Sequence, residues 1–163
     1  MKKFVVLLTG LFVINITYAQ LKQTVICPNI VVDILDGKVN DALYPTSTIG
    51  EIKGKLPCFT SVEEETSSSK CGGTVSYKDK DIKFYTGRDY IEIGEKFKGK
   101  LTVPLLGAAR TNLFKWLGHP KIKDVNWDAF QMSYGTLVLY YRGGKVYKLQ
   151  FSSNPSESMR LCE

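Results

Sequence analysis

The segment Thr136–Phe151 constrains the fold most. It reads as two runs rich in β-branched and aromatic residues around Gly143-Gly144. Two adjacent glycines supply the positive φ angles of a primed two-residue turn, so the segment predicts a β-hairpin. A regular two-residue turn pairs Tyr141 with Val146, Tyr140 with Tyr147 and Val138 with Leu149. One face then carries Val138, Tyr140, Tyr147, Leu149 and Phe151, the more uniformly apolar set and the expected core face. The opposite face carries Leu137, Leu139, Tyr141, Val146, Lys148 and Gln150.

A second hairpin is predicted over Thr74–Tyr85, turning at Asp79-Lys80. Strict alternation places Val75, Tyr77, Ile82 and Phe84 on one face, and Thr74, Ser76, Lys83 and Tyr85 on the other. Such alternation marks one buried and one wet face. Tyr90–Ile93 continues the pattern as a third strand with Ile91 and Ile93 inward. Helices are fewer. Thr48-Ile-Gly-Glu51 has the spacing of a capping box, and Ile49, Ile52 and Leu56 follow at helical intervals, although Gly50 and Gly54 weaken the segment. A longer helix is expected near Leu105–Leu117, with Ala109, Leu113, Trp116 and Leu117 on one stripe, Gly118 as its C-terminal cap and Pro120 as a stop.

In chain order these elements repeat: helix, loop, hairpin, at an offset of about 61 to 62 residues. The expected fold class is α+β, with short helices packed on one face of an antiparallel β-sheet in two helix–loop–hairpin repeats. The halves cover about 44–93 and 102–151 of a single domain spanning 20–163. The tandem helix–loop–hairpin unit, with a lone disulfide expected to clasp the loop after the first helix, resembles the β-lactamase inhibitory protein fold. The segment Leu113-Phe-Lys-Trp-Leu-Gly-His-Pro120, followed by Trp127 and Tyr134 to Phe151, also resembles the repeat of small outer-membrane assembly lipoproteins. The resemblance covers roughly 44–151. No contact residue of the inhibitor family maps onto a position of this chain, and the lipid-anchor cysteine of the lipoproteins is missing.

Residues 1–19 read as a secretory signal: Lys2 and Lys3, an apolar run from Phe4 to Ile14, then small residues Thr17 and Ala19 before a cut. The run is too short to span a bilayer. A secreted or periplasmic protein cleaved after Ala19 is expected, without a transmembrane segment in its mature part. Apolar and charged contents of 44% and 23% are those of folded domains rather than disordered chains. Without Lys2 and Lys3, 20 basic residues face 16 acidic ones. The basic residues are scattered, which argues against nucleic acid as a partner.

Four cysteines in a secreted chain imply two disulfides, with three pairings open. The polar segment between Cys58 and Cys71, containing Glu63–Glu65 and Ser67–Ser69, points to Cys58–Cys71 as a local clasp and leaves Cys27–Cys162. A metal site would need clustered ligands, whereas the chain has no Cys-x-x-Cys pair and one histidine. No metal or other cofactor is expected.

No catalytic constellation stands out. His119 lies between a helix cap and a proline and reads as a capping residue. Asp124 and Asp128 flank Trp127, as paired carboxylates of a glycan hydrolase would, but equally as turn residues. Trp116 reads as core. There remains the second sheet face, where Tyr85, Tyr90 and Tyr141 are expected beside Lys83, Lys148, Leu139 and Leu137. Left open by the helices, such a face suits protein recognition. Covered by loop 118–134 or segment 21–43, it does not. The expected function is a non-catalytic binding module of the inhibitor or immunity type, meeting another envelope or extracellular protein. A small secreted hydrolase and an envelope assembly accessory are the alternatives.

Overall fold

The computed structural model describes residues 26–66 and 71–162; the signal sequence expected at 1–19 lies outside them. In chain order the elements are β1 (Val31–Asp33), β2 (Lys38–Val39), α1 (Ile49–Lys55), β3 (Ser61–Glu63), β4 (Thr74–Tyr77), β5 (Ile82–Tyr85), β6 (Tyr90–Ile93), β7 (Lys100–Leu101), α2 (Phe114–Leu117), β8 (Ile122–Lys123), β9 (Trp127–Met132), β10 (Gly135–Arg142) and β11 (Lys145–Ser152). This is an α+β fold with a large antiparallel sheet and two short helices. The strand order is β3-β4-β5-β6-β11-β10-β9-β8, so the last strands following each helix pair at the centre. A smaller sheet, β2-β1-β7, includes one parallel pair, β1 with β7.

The first helix forms as its sequence dictates. Thr48 Oγ1 accepts from the Glu51 N–H, and the Glu51 carboxylate accepts from the Thr48 N–H at 2.9 Å, so two otherwise orphaned donors are satisfied reciprocally. Ile52 is the buried face of the helix. At its end, Tyr77 donates its hydroxyl to the Leu56 carbonyl, tying the helix to β4. Burial raises the Tyr77 phenol above its usual range.

The second helix is much shorter than its stripe predicts. Gly107 takes φ +76, outside the helical region. The chain around it pairs with the start of β11 instead: the Gly107 N–H donates to the Val146 carbonyl, the Val146 N–H to Ala108, and the Arg110 N–H to Gly144. Strand β6 pairs with β11 only over Leu149–Ser152, so this segment satisfies backbone groups that β6 leaves unpaired. Helical geometry begins with a single 3₁₀ turn at Arg110–Asn112 and ends at Gly118, φ +70. Leu113 is buried, and Trp116 and Leu117 pack against the core.

The core lies between the inner face of the large sheet and the layer formed by the small sheet and α1. Val75, Phe84, Ile91, Phe151, Leu137 and Phe130 form one inward row across six strands. Val32, Ile34, Val39, Leu43, Ile52 and Leu56 meet the inner face from the other layer. Each such side chain contributes about 1.5–3 kcal/mol by leaving water. The hairpin over Thr74–Tyr85 has the register its alternation predicts, with Ile91 and Ile93 inward beside it.

The hairpin at Gly143-Gly144 departs from its expected register. Tyr141 pairs with Val146, but Tyr140 pairs with Lys148, Leu139 with Leu149 and Leu137 with Phe151. One extra residue in β11, at Tyr147, makes a β-bulge. Val146 and Leu149 are three positions apart, and a regular strand would point them to opposite faces. The bulge turns both inward, so the core face is Leu137, Leu139, Tyr141, Val146, Leu149 and Phe151. Val138 and Tyr140, expected inside, point outward.

The disulfides also differ from the expected pairing. Cys27 joins Cys58 and Cys71 joins Cys162, with Cα–Cα distances of 5.6 and 5.4 Å. Cys58 precedes β3 whereas Cys71 precedes β4, and the two strands run antiparallel. Cys58 therefore meets the N-terminal segment and Cys71 the C-terminal one. Among the described residues no helix is long and apolar enough to cross a membrane.

Candidate functional site

The register of the large sheet distributes the seven residues expected to form one binding face over both faces. Leu137, Leu139 and Tyr141 point into the core, turned there by the Tyr147 bulge. Tyr85 and Tyr90 point outward but are buried. They stack at 4.2 Å between ring centroids, and the Cys162 N–H donates to the Tyr90 hydroxyl at 3.1 Å. Lys83 and Lys148 point outward and remain half-buried at the surface.

Among the described residues, the segment that reaches Tyr90 is the C-terminal one, 153–162, whose Cys162 N–H meets its hydroxyl. The Cys71–Cys162 disulfide anchors its end. Thr136 Oγ1 donates to the Asn154 carbonyl at 2.9 Å, and Lys121 pairs with Glu157 at 2.5 Å. That ion pair holds the Glu157 carboxyl below its usual range. Burial lifts the Tyr90 phenol well above its ordinary value.

Beyond this strap, a polar row crosses the outer face. Lys83 on β5 opposes Glu92 on β6, which opposes Gln150 on β11, which opposes Val138 on β10. The Gln150 amide donates to Glu92 Oε2 at 2.6 Å and accepts from the Tyr140 hydroxyl at 2.7 Å. Lys148 Nζ sits 3.7 Å from Glu92 Oε2 and 4.2 Å from the Tyr140 ring centroid. Linked hydrogen bonds of this kind hold side-chain orientation, and the cation–π contact adds about 0.5–1 kcal/mol at an exposed site. Tyr140 pairs in register with Trp127 on β9, so two large aromatics stand side by side. They line a cavity of about 210 Å³ with Ile122, Val138, Met159 and Leu161. Sheet side chains form its floor, and the strap forms one wall.

The candidate catalytic residues lie on the other side. Asp128 is buried on the inner face at 3% exposure. Arg110 grips it with two donors, Nε to Oδ2 at 2.9 Å and Nη2 to Oδ1 at 2.5 Å, and Tyr141 donates its hydroxyl to Oδ2 at 2.8 Å. The pair with Asp128 holds the Arg110 guanidinium above its usual range. Arg110 also donates to the carbonyls of Asp124 and Val125, which shapes the loop before β9. Both Asp128 oxygens are thus engaged in an internal anchor. Asp124 meets this anchor through its main-chain carbonyl. His119 is exposed, its ring tilted against Phe114 at 4.6 Å. His119 and Asp128 border one cavity of about 270 Å³. Among the described residues no group of three or more His, Cys, Asp or Glu is placed to hold a metal ion.

Sequence reasoning missed Glu92, Gln150, Tyr140 and Trp127 as members of one surface. The available signal was the three-residue spacing of Val146 and Leu149, which demands a bulge if both are core. No comparable signal marks Arg110 and Asp128, which come from elements 18 residues apart. No family model, no curated protein and no solved structure matches this chain.

Proposed function

We propose that this chain is a secreted, non-catalytic protein-binding module that occludes a partner with the outer face of its large sheet. The observation that carries this reading is the Lys83–Glu92–Gln150–Lys148–Tyr140 row, which runs into the Trp127 cavity and lies opposite the helices and the small sheet. Aromatic residues and orientationally fixed polar groups around an apolar depression have the chemistry of a recognition surface. Two disulfides suit an oxidising compartment, as does the signal-like stretch at 1–19. The succession of a helix and four strands, α1 with β3–β6 and α2 with β8–β11, supports a reading as two related halves of the inhibitory-protein type. An inhibitor or immunity role follows from that reading.

The test is capture from an envelope extract by the immobilised protein. The double variant Lys83→Glu/Lys148→Glu reverses charge on the row without touching the core. Capture falling at least tenfold at unchanged thermal stability supports the reading. Capture equal to the wild type overturns it.

A further inference from the structure

At one end of the large sheet the fold gathers lysines that the sequence scatters. The β4–β5 turn carries Lys78 and Lys80, and the connection from β6 into β7 carries Lys96, Lys98 and Lys100. Three hydrogen bonds hold the two segments together. The Lys98 N–H donates to the Lys80 carbonyl at 3.1 Å, the Gly94 N–H to the Asp81 carbonyl at 3.0 Å and the Lys96 N–H to Asp81 Oδ2 at 2.7 Å. Of the other acids in these segments, Asp79 meets Lys80 at 3.8 Å and Glu95 pairs with Arg142. Among the described residues, Lys78, Lys96, Lys98 and Lys100 have no ion-pair partner, and all four are exposed. Exposed apolar side chains adjoin them. Val31, at 37% exposure, pairs in register with Lys100. The Cys27–Cys58 disulfide borders a small cavity with Lys80, and next to its two cysteines stand Ile26, at 85% exposure, and Phe59, at 36%. Thr60, the neighbour of Phe59, accepts at its Oγ1 from the Lys78 N–H at 2.9 Å.

We infer that this end of the molecule docks on the surface of an anionic phospholipid bilayer, with the lysines at the headgroup phosphates and Ile26, Val31 and Phe59 at the apolar boundary. This surface does not draw on the protein-binding reading. Ammonium groups are attracted to an anionic leaflet within a Debye length of it. Apolar side chains beside them gain by leaving water for the boundary between headgroups and acyl chains. Attachment of this kind needs no membrane-spanning segment. A soluble polyanion would satisfy the same charges but would give the apolar side chains nothing to enter, which favours the bilayer.

The test is sedimentation of the oxidised protein, cleaved after Ala19, with vesicles of phosphatidylglycerol and phosphatidylcholine in equal parts. Vesicles of phosphatidylcholine alone should bind at least tenfold more weakly, and raising salt from about 0.05 to about 0.5 M should release most of the bound protein. The variant Lys78→Glu/Lys98→Glu should lose at least tenfold in partitioning with an unchanged melting temperature, whereas Lys78→Arg/Lys98→Arg should bind like the wild type. Ile26→Ser should lose about threefold. Lys115→Glu/Lys123→Glu makes the same change in net charge on α2 and β8, at the far edge of the sheet, and should bind within twofold of the wild type. An equal loss in that variant overturns the patch and leaves net charge as the cause. Equal binding to the two kinds of vesicle overturns the inference outright. Undiminished binding of Ile26→Ser, together with full displacement from the vesicles by polyphosphate at equal phosphate concentration, points to a soluble polyanion and overturns the bilayer assignment.

Discussion

Arg110 and Asp128 form a two-pronged ion pair at 2.9 and 2.5 Å, with the Tyr141 hydroxyl closing on the same carboxylate. The carboxylate is almost wholly buried, while the arginine keeps a quarter of its side chain exposed. The guanidinium also holds the carbonyls of Asp124 and Val125. One side chain thereby joins the turn before α2, the loop before β9 and the β9–β10 ladder.

Removing the arginine leaves Asp128 buried without its charge partner. Arg110→Ala is expected to destabilise the protein by about 3 kcal/mol, toward the low end for a broken buried pair because the site is partly wet. Urea unfolding monitored by tryptophan fluorescence measures this. A loss below about 1 kcal/mol would show that Asp128 is solvated or relocates.

The bulge at Tyr147 yields a deletion test. Removing Tyr147 leaves Tyr141 opposite Val146, Tyr140 opposite Lys148 and Leu139 opposite Leu149, all as in the native register. The deletion variant is expected to fold, with cooperative unfolding and dispersed amide resonances. Removing Gln150 instead shifts the strand on one side of it by one position and turns either Leu149 or Phe151 away from the core. That variant should be unfolded or molten. The opposite ranking would contradict the register.

The two disulfides close spans of 91 and 31 residues. In the chain-entropy treatment they are worth roughly 4.6 and 3.7 kcal/mol. Replacing Cys71 and Cys162 by serine should therefore cost more stability than replacing Cys27 and Cys58. It should also open the strap to proteolysis near Arg160. Mass spectrometry of a non-reduced digest should find Cys27 linked to Cys58. A Cys58–Cys71 peptide would refute the pairing.

Glu51 gives the first helix a defined response to acid. Its carboxyl, ordinarily near 4.5, is held lower by the hydrogen bond from the Thr48 backbone. A depressed folded-state pKa means that the stabilisation is present above about 4.5 and is lost as pH falls through the folded value. Thr48→Ala removes one arm of the box and should cost about 1 kcal/mol at neutral pH. Comparing Glu51→Gln with wild type between pH 3 and 7 checks the linkage. The wild-type advantage should shrink in acid, and a constant difference would count against the box.

Much of the fold was legible because local chemistry decides it. Thr48 and Glu51 satisfy each other within one helical turn. Gly143 and Gly144, φ +56 and +73, make the hairpin turn that their lack of a side chain allows. The alternation of Val75, Tyr77, Ile82 and Phe84 specifies a register because slipping it by one would expose all four. The second helix was overestimated because an apolar stripe does not record that β11 has unpaired donors and acceptors, which segment 107–110 satisfies.

The sequence by itself determined the strands β4, β5, β6, β10 and β11, where two hairpins turn, how the first helix begins and that four cysteines belong together in pairs, whereas β9 fell in a segment read as loop. These follow from φ preferences, short-range hydrogen bonds and side-chain alternation, all acting within a few residues. Only the tertiary structure decided which face of β10 is core, which cysteines meet and that the C-terminal segment reaches Tyr90. A single extra residue at Tyr147 reverses the phase of one strand relative to its partner, and its position depends on packing across the sheet. Disulfide pairing depends on which chain ends antiparallel strands bring together. The surface proposed for a partner is what remains after those long-range choices: Lys83, Glu92, Lys148, Tyr140 and Trp127.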